Sequence, residues 1–194
     1  MKSESDEDLV HLILKGEVQI YAEIVERYER PVYNLMYRYC RSEQEAADLS
    51  QDVFLRVYER LASFNSNKRF FPWMYTLAVN RVKDWQRNNS VKRRKLAELR
   101  WDVPITETGS QQETKLLDQE EAQSLYGALD ELPDITREMV LLRYQQELSI
   151  TELADIFKVS ESAAKMRIAR GLDKMKSVLG GERHERTVKE TVAA

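Results

Sequence analysis

Apolar residues recur along most of this chain at the three-to-four-residue interval of amphipathic helices. Ser5-Asp6-Glu7-Asp8 reads as a capping box, and Leu9, Val10, Ile13 and Leu14 follow at helical spacing until Gly16, which suits a stop. The period resumes through Ile20, Ile24, Val25 and Tyr28, and Pro31 should kink or restart the helix before Val32, Leu35, Met36 and Tyr39. Ser42-Glu43-Gln44-Glu45 opens another helix to about Phe64, with Ala46, Leu49, Val53, Val57 and Leu61 on one face and Asp48, Gln51, Asp52, Arg56 and Glu59 on the other. A loop by composition, 63–68, precedes Pro72, which fits a first helical turn. The helix beyond it carries Trp73, Met74, Leu77, Ala78 and Val79.

Pattern is lost between Val103 and Gln112 and returns with Leu116, Leu125, Leu129, Leu132, Val140, Leu141, Leu142 and Tyr144. Ser149 then caps a short helix whose buried face is Ile150, Leu153, Ala154 and Phe157. Lys158-Val159-Ser160 follows as a tight connection with an apolar plug, and Ser160 can cap the next helix, from Glu161 to about Met175. Small Ala154 lets the two helices cross closely, which is helix-turn-helix grammar. Past Gly180-Gly181 the pattern ends and the tail is expected to fray. The expectation is an all-α chain. Residues 6–97 form one helical domain, 98–118 a flexible acidic linker, 119–179 a helix-turn-helix domain and 180–194 a flexible tail.

Composition supports long helices, since 194 residues hold only 6 Gly and 4 Pro. One cysteine excludes a disulfide framework, and two distant histidines make a histidine-based metal or catalytic site a poor expectation. No apolar run reaches the roughly 20 residues that span a bilayer, and the acidic start is no signal peptide, so a cytoplasmic protein without membrane insertion is expected. The net charge of −3 argues against a nucleic-acid binder until its distribution is read. Residues 81–100 carry eight Lys/Arg against two acids, 158–176 carry six against two, and 101–121 carry six acids against one Lys. Two basic poles thus flank an acidic strip. Its core, 101–118, would extend to about 60 Å or average roughly 23 Å as a coil.

Chemistry follows from those poles. Lys165, Arg167 and Arg170 project from the second helix of the helix-turn-helix, where Arg can pair bidentately with guanine and Lys or Arg can neutralise phosphates. Phe70, Phe71, Trp73, Tyr75 and Trp85 interleave with Lys68, Arg69, Arg81, Lys83, Arg87 and the 92–95 run. Rings that stack on unpaired bases beside cations that track phosphates suit single-stranded nucleic acid. Stacking contributes about 1–3 kcal/mol per base against a few kcal/mol to extrude one, so one or two captured bases nearly balance local opening. The same aromatics would otherwise be core. The acidic 48–59 face suits a protein partner, or is simply solvated.

These stretches are familiar together. Residues 47–55, Ala-Asp-Leu-Ser-Gln-Asp-Val-Phe-Leu, and 71–80, Phe-Pro-Trp-Met-Tyr-Thr-Leu-Ala-Val-Asn, resemble region 2 of extracytoplasmic-function (ECF) sigma factors, the promoter-specificity subunits of bacterial RNA polymerase. Leu132-Pro133, the run from Leu148 to Ala154, Val159-Ser160 and the run from Lys165 to Gly171 resemble region 4. The resemblance implies that Asp48, Gln51, Asp52 and Leu55 dock on the β′ clamp helices of the polymerase core. It implies that Asn67, Lys68, Arg69, Trp73, Asn80, Arg81, Lys83 and Arg87 read and melt the −10 promoter element. It implies −35 recognition through Ser160, Ser162, Lys165, Arg167 and Arg170, with the apolar face of region 4 on the β flap. The acidic linker would thread toward the active-site cleft. A cognate anti-sigma factor, often held at the membrane in this family, is implied as a regulator; no cofactor, metal or catalytic residue is.

Two other function classes were open. A free-standing helix-turn-helix regulator would bind operator DNA without polymerase, as a dimer on a palindrome, and would leave the 48–52 face and the 73–95 block without a job. An enzyme would need a Gly-rich phosphate loop, a nucleophile with its base or metal-ligand spacing, and the sequence offers none.

Overall fold

In the computed structural model the described backbone comprises residues 5–97 and 118–192, with side chains described for 5–89 and 124–180. The expected linker and the basic run at 92–95 therefore lie outside the described side chains. Every regular element among the described residues is a helix, and contacts divide the chain into two units, Met1–Asp102 and Val103–Ala194.

Helix α1 (Asp6–Leu14) starts where Ser5 Oγ accepts the Asp8 N–H at 3.2 Å. Leu9, Val10 and Ile13 are buried, but Leu14, expected on the same stripe, is 52% exposed. The helix stops there and Gly16, at φ 110°, turns the chain away before another element covers it. A 3₁₀ turn at Val18–Ile20 leads into α2 (Tyr21–Cys40). Pro31 does not restart α2, although its ring removes the donor to the Arg27 carbonyl, a defect of about 3 kcal/mol in an isolated helix. Burial of Tyr28, Val32, Leu35 and Met36 around it offsets that defect. After Arg41, left-handed at φ 55°, Ser42 caps α3 (Glu43–Arg60) through the Glu45 N–H at 3.3 Å. The expected stripe of Ala46, Leu49, Val53 and Val57 is buried, as is Leu61 in the following 3₁₀ turn. Helix α4 (Phe70–Ala97) carries Pro72 in its first turn.

The second unit comprises α5 (Asp118–Asp130), α6 (Asp134–Gln145), α7 (Ile150–Phe157) and α8 (Glu161–Val192). Leu129 and Leu132 are buried, whereas Leu125 at 44% and Tyr144 at 61% stand exposed although the sequence pattern placed them inside. Leu125 shares a face with Leu129 and Leu132, and Tyr144 follows Val140 in the last turn of α6, so each sits at the uncovered end of a buried stripe. The turn between α5 and α6 is sewn by buried Arg137, whose guanidinium donates to the Asp130 and Leu132 carbonyls and pairs with the Asp130 carboxylate at 3.1 Å. Helix α7 has a full capping box: Ser149 Oγ accepts the Glu152 N–H while the Glu152 carboxylate accepts the Ser149 N–H. The turn to α8 places Lys158 in the left-handed region at φ 58°. Helix α8 is then capped by Ser160, which accepts the Ala163 N–H at 3.2 Å. Its backbone stays helical to Val192, past Gly180-Gly181, so the expected fraying point does not end the helix; glycine weakens a helix by about 1 kcal/mol without forbidding it.

Helix α8 presses Ala164, Ile168, Gly171 and Met175 inward. A β-carbon added at Gly171 would lie 2.8 Å from Thr136 Cγ2 and 3.4 Å from Val140 Cγ2, so α6 and α8 touch where a side chain is missing. Gly171→Val should destabilise the C-terminal unit by about 1–3 kcal/mol, read as a lower thermal midpoint for that unit while the N-terminal unit melts as before.

Candidate nucleic-acid and protein interfaces

Helix α3 turns its buried stripe toward the first unit and leaves the opposite side open. Asp48, Gln51, Asp52 and Leu55 stand at i, i+3, i+4 and i+7, so they share one face. Asp48 and Gln51 are exposed, and Leu55 is 63% exposed, a branched apolar side chain with no cover. Tyr58 continues the face at 41% exposure and stands edge-on to Tyr21, centroids 5.1 Å apart. Tyr21 Oη donates to the Phe54 carbonyl at 2.6 Å, and burial pushes its pKa up, so it stays a neutral donor that ties α2 to α3. Tyr58 was not among the expected docking residues; its place three residues after Leu55 was the available signal.

The expected cationic set divides. Asn67, Lys68 and Arg69 are exposed on the 64–69 loop, whose turn is closed by the Lys68 N–H to the Asn65 carbonyl and the Asn67 N–H to Asn65 Oδ1. Trp73, Asn80 and Arg87 then follow at seven-residue intervals, which stacks them along one side of α4. Asn80, Lys83, Asp84, Gln86 and Arg87 line an open groove on that side. The aromatic interleaving is corrected: Phe70, Phe71 and Tyr75 are buried at 0%, 5% and 1% exposure and cannot stack on a base without unfolding α4. They belong to a core cluster with Tyr28, centroids 5.3 Å from Phe71 and 6.1 Å from Phe70. Half-buried Trp73 packs on Phe64 and Phe70 at 5.3 and 5.6 Å and keeps part of its ring open.

Arg81 departs from the stripe. Its guanidinium reaches across to the Asp52 carboxylate, so one residue expected on DNA and one expected on a protein partner bind each other. Arg56 extends the chain of charges, 3.4 Å from Asp52 and 3.5 Å from Asp84, and Asp84 also accepts from Arg87. The Arg87 hydrogen bond, with Arg56 assisting, holds the Asp84 carboxyl below the ordinary carboxylate range. The acidic face of α3 and the cationic side of α4 are thus two edges of one ion-pair lattice.

In the second unit Lys165 and Arg170 are exposed and Arg167 half-buried on α8, with exposed Ser162 in the first turn. Lys165 and Arg167 flank the outward face on opposite sides, a geometry that meets both walls of a groove. Ser160 spends its hydroxyl as the N-cap, and Lys174 is drawn to the Glu131 carbonyl and carboxylate. Met166 stands 51% exposed in the centre of the outward face, where it could meet a thymine methyl. The sequence pattern did not single it out, although its place between Lys165 and Arg167 puts it on the same side of the helix.

Cys40 is half-buried, its thiol donates to the Ser42 carbonyl at 3.3 Å, and burial raises its pKa. No helix among the described residues is long and apolar enough to cross a membrane.

Comparison with known proteins gives the following. The family model for Sigma-70 region 2 matches residues 24–91, and that for Sigma-70 region 4 matches residues 122–175. The chain is similar to the ECF RNA polymerase sigma factor SigW of Bacillus subtilis, 29% identical over 173 residues that cover 86% of this chain and 92% of SigW. It is also similar to the ECF RNA polymerase sigma-E factor of Escherichia coli, 27% identical over 86% of this chain and 90% of that protein. Among solved structures it resembles the sigma factor RpoE of Bartonella quintana in complex with the anti-sigma factor NepR. That match has a TM-score of 0.63 at 17% identity and covers 82% of this chain and 96% of the other.

The Asp52–Arg81 pair is partly open to solvent, which caps its strength. A double-mutant cycle of Asp52→Asn and Arg81→Gln, followed by urea unfolding, should give a coupling of about 0.5–1 kcal/mol that shrinks as salt is raised.

Proposed function

This chain belongs to the ECF group of the sigma-70 family, and on that footing we propose how its residues divide the work of a promoter-specificity subunit. The observation that carries the division is the α3–α4 pair: an acidic and apolar face on one helix, a cationic stripe on the next, joined by the Asp52–Arg81 lattice. Asp48, Gln51 and Leu55, with Tyr58 beside them, dock on the polymerase core at its β′ clamp helices. Leu55 supplies the desolvated centre, and Asp48 gives charge complementarity and a faster encounter.

The 64–69 loop and the Trp73–Asn80–Arg87 stripe take the −10 element. Asn67, Lys68 and Arg69 approach from the loop, Trp73 offers the open part of its ring, and Lys83 and Arg87 follow the phosphates. Of the interleaved aromatics only Trp73 and Trp85, twelve residues apart, keep part of a ring open, so capture of a base in the loop carries more of the melting than a stacked ladder could. Arg81 reaches DNA only by leaving Asp52. Arg167, Lys165, Arg170 and Ser162 read the −35 element from the major groove, and Ser160 fixes the start of the helix that carries them. The factor performs no bond chemistry of its own. We extend to this chain control by an anti-sigma factor, as the Bartonella quintana neighbour was solved with one. The factor would act in the cytoplasm.

Two measurements test the division. Asp48→Lys combined with Leu55→Asp avoids the ion-pair lattice and should weaken binding to core polymerase at least tenfold in a fluorescence assay, with the melting profile unchanged; wild-type affinity removes the docking assignment. Lys165→Ala with Arg167→Ala should abolish dependence on the −35 segment in run-off transcription while core affinity stays. Tight, sequence-specific duplex binding by the wild-type chain without polymerase would overturn the whole reading in favour of a free-standing regulator.

A further inference from the structure

Helix α1 has no role in the sites above, yet it reaches into one of them. Helix α4 begins at Phe70, directly after the 64–69 loop, and its first backbone N–H groups have no acceptor within the helix. Such ends are ordinarily closed by Ser, Thr, Asp or Asn at the preceding position. Here that residue is Arg69, whose side chain carries donors only. The acceptor comes instead from a residue 63 positions earlier: Glu7 Oε1 accepts the Phe70 N–H at 3.0 Å in a half-buried setting. A carboxylate is the favoured partner at the positive end of a helix.

The rest of α1 keeps that carboxylate in place. Asp6 receives both the Arg27 guanidinium and the Tyr28 hydroxyl from α2, and burial together with the Asp6 hydrogen bond raises the Tyr28 pKa, so it remains a donor. Leu9, Val10 and Ile13 are buried beneath. Tyr28 in turn packs against Phe70 and Phe71, the first two residues of α4. Phe70 also meets Phe64 edge-on at 5.5 Å, so the two ends of the loop are pillars that touch each other. Inside the loop the Phe64, Asn67 and Lys68 N–H groups bond locally, to Leu61 and Asn65. The point where the loop passes into α4 is held from outside, by Glu7.

We propose that Glu7 is a positioning residue of the −10 site: its carboxylate fixes the Phe70 N–H and thereby sets the placement of Asn67, Lys68 and Arg69 for base recognition. The inference rests on the reading of that loop as the −10 reader and goes beyond it by assigning part of promoter selectivity to a helix that touches no DNA. A loop that stands on two aromatic pillars, with this carboxylate fixing the backbone amide at the second, presents its side chains in one arrangement. Without the carboxylate the buried Phe70 ring stays seated but the peptide that leads into it is free to turn, so the loop samples several arrangements and discrimination between bases falls before affinity for polymerase does.

The test uses the full chain with bacterial core polymerase on linear promoter fragments randomised at six positions of the −10 segment, downstream of a fixed −35 segment selected with the wild type. Glu7→Ala should flatten base preference at least fivefold at one or more −10 positions and leave core affinity and −35 dependence unchanged. Glu7→Gln, which keeps an acceptor oxygen, should restore most of the preference. Native-state hydrogen exchange should show at least tenfold faster exchange at Phe70 in Glu7→Ala, with the α2 and α3 amides unmoved. Should Glu7→Ala not fold, Glu7→Asp, one methylene too short to reach, replaces it with the same readouts. Asn67→Ala is the control for the underlying reading. If Asn67→Ala shifts the preference and Glu7→Ala does not, the positioning role is overturned and the loop assignment stands. If neither shifts it, the loop assignment itself falls and takes this inference with it. Equal loss of core affinity and −10 preference in both Glu7→Ala and Glu7→Gln would make Glu7 a general fold residue and overturn the proposal.

Discussion

The N-terminal unit depends on α4 being buried along one side and charged along the other. Phe70, Met74, Ala78 and Val82 recur at intervals of four along the buried side, and each is at most 4% exposed. At roughly 25 cal/mol per Å² of apolar surface, such a stripe supplies the main term that seats the helix. Everything polar on α4 is placed by that seating. Once the apolar side is fixed, Trp73, Asn80 and Arg87 must face the other way, and Arg81 must point toward α3. The Asp52–Arg81 contact follows from that geometry, and so does the closeness of the two working faces.

Much of this was legible in the sequence, and the parts that were not share a cause. The capping residues Ser5, Ser42, Ser149 and Ser160 all act at the helix starts where their residue type and following turn placed them, because a cap is a local interaction. The stripe of Ala46, Leu49, Val53 and Val57 was equally readable, since one face of one helix decides it. Phe70, Phe71 and Tyr75 were readable as aromatic beside cation but not as core, because their burial depends on Tyr28 and Phe64 in other elements. Leu14, Leu125 and Tyr144 failed in the opposite sense: period alone does not reveal whether a neighbour covers the end position of a stripe. The diversion of Arg81 to Asp52 and the capping of α4 by Glu7 span 29 and 63 residues and leave no local signature.

The C-terminal unit solves a different problem, which is to hold one helix still while leaving most of its outer surface free. Helices α5, α6 and α7 all pack on α8, and a capping box, a left-handed Lys158 and the Ser160 cap fix the path of the chain into it. The Thr151 hydroxyl donates to the Glu161 carboxylate at 2.8 Å and links the first turns of α7 and α8. Close approach at Gly171 sets the spacing of α8 from α6. The outward residues therefore inherit their position from contacts that they do not make.

The chain's single cysteine shows what a helix end does to a thiol. Cys40 closes α2, where burial raises its pKa and the Ser42 carbonyl accepts its S–H. Peroxides and disulfides are attacked by thiolates, so this placement makes Cys40 a slow nucleophile toward them.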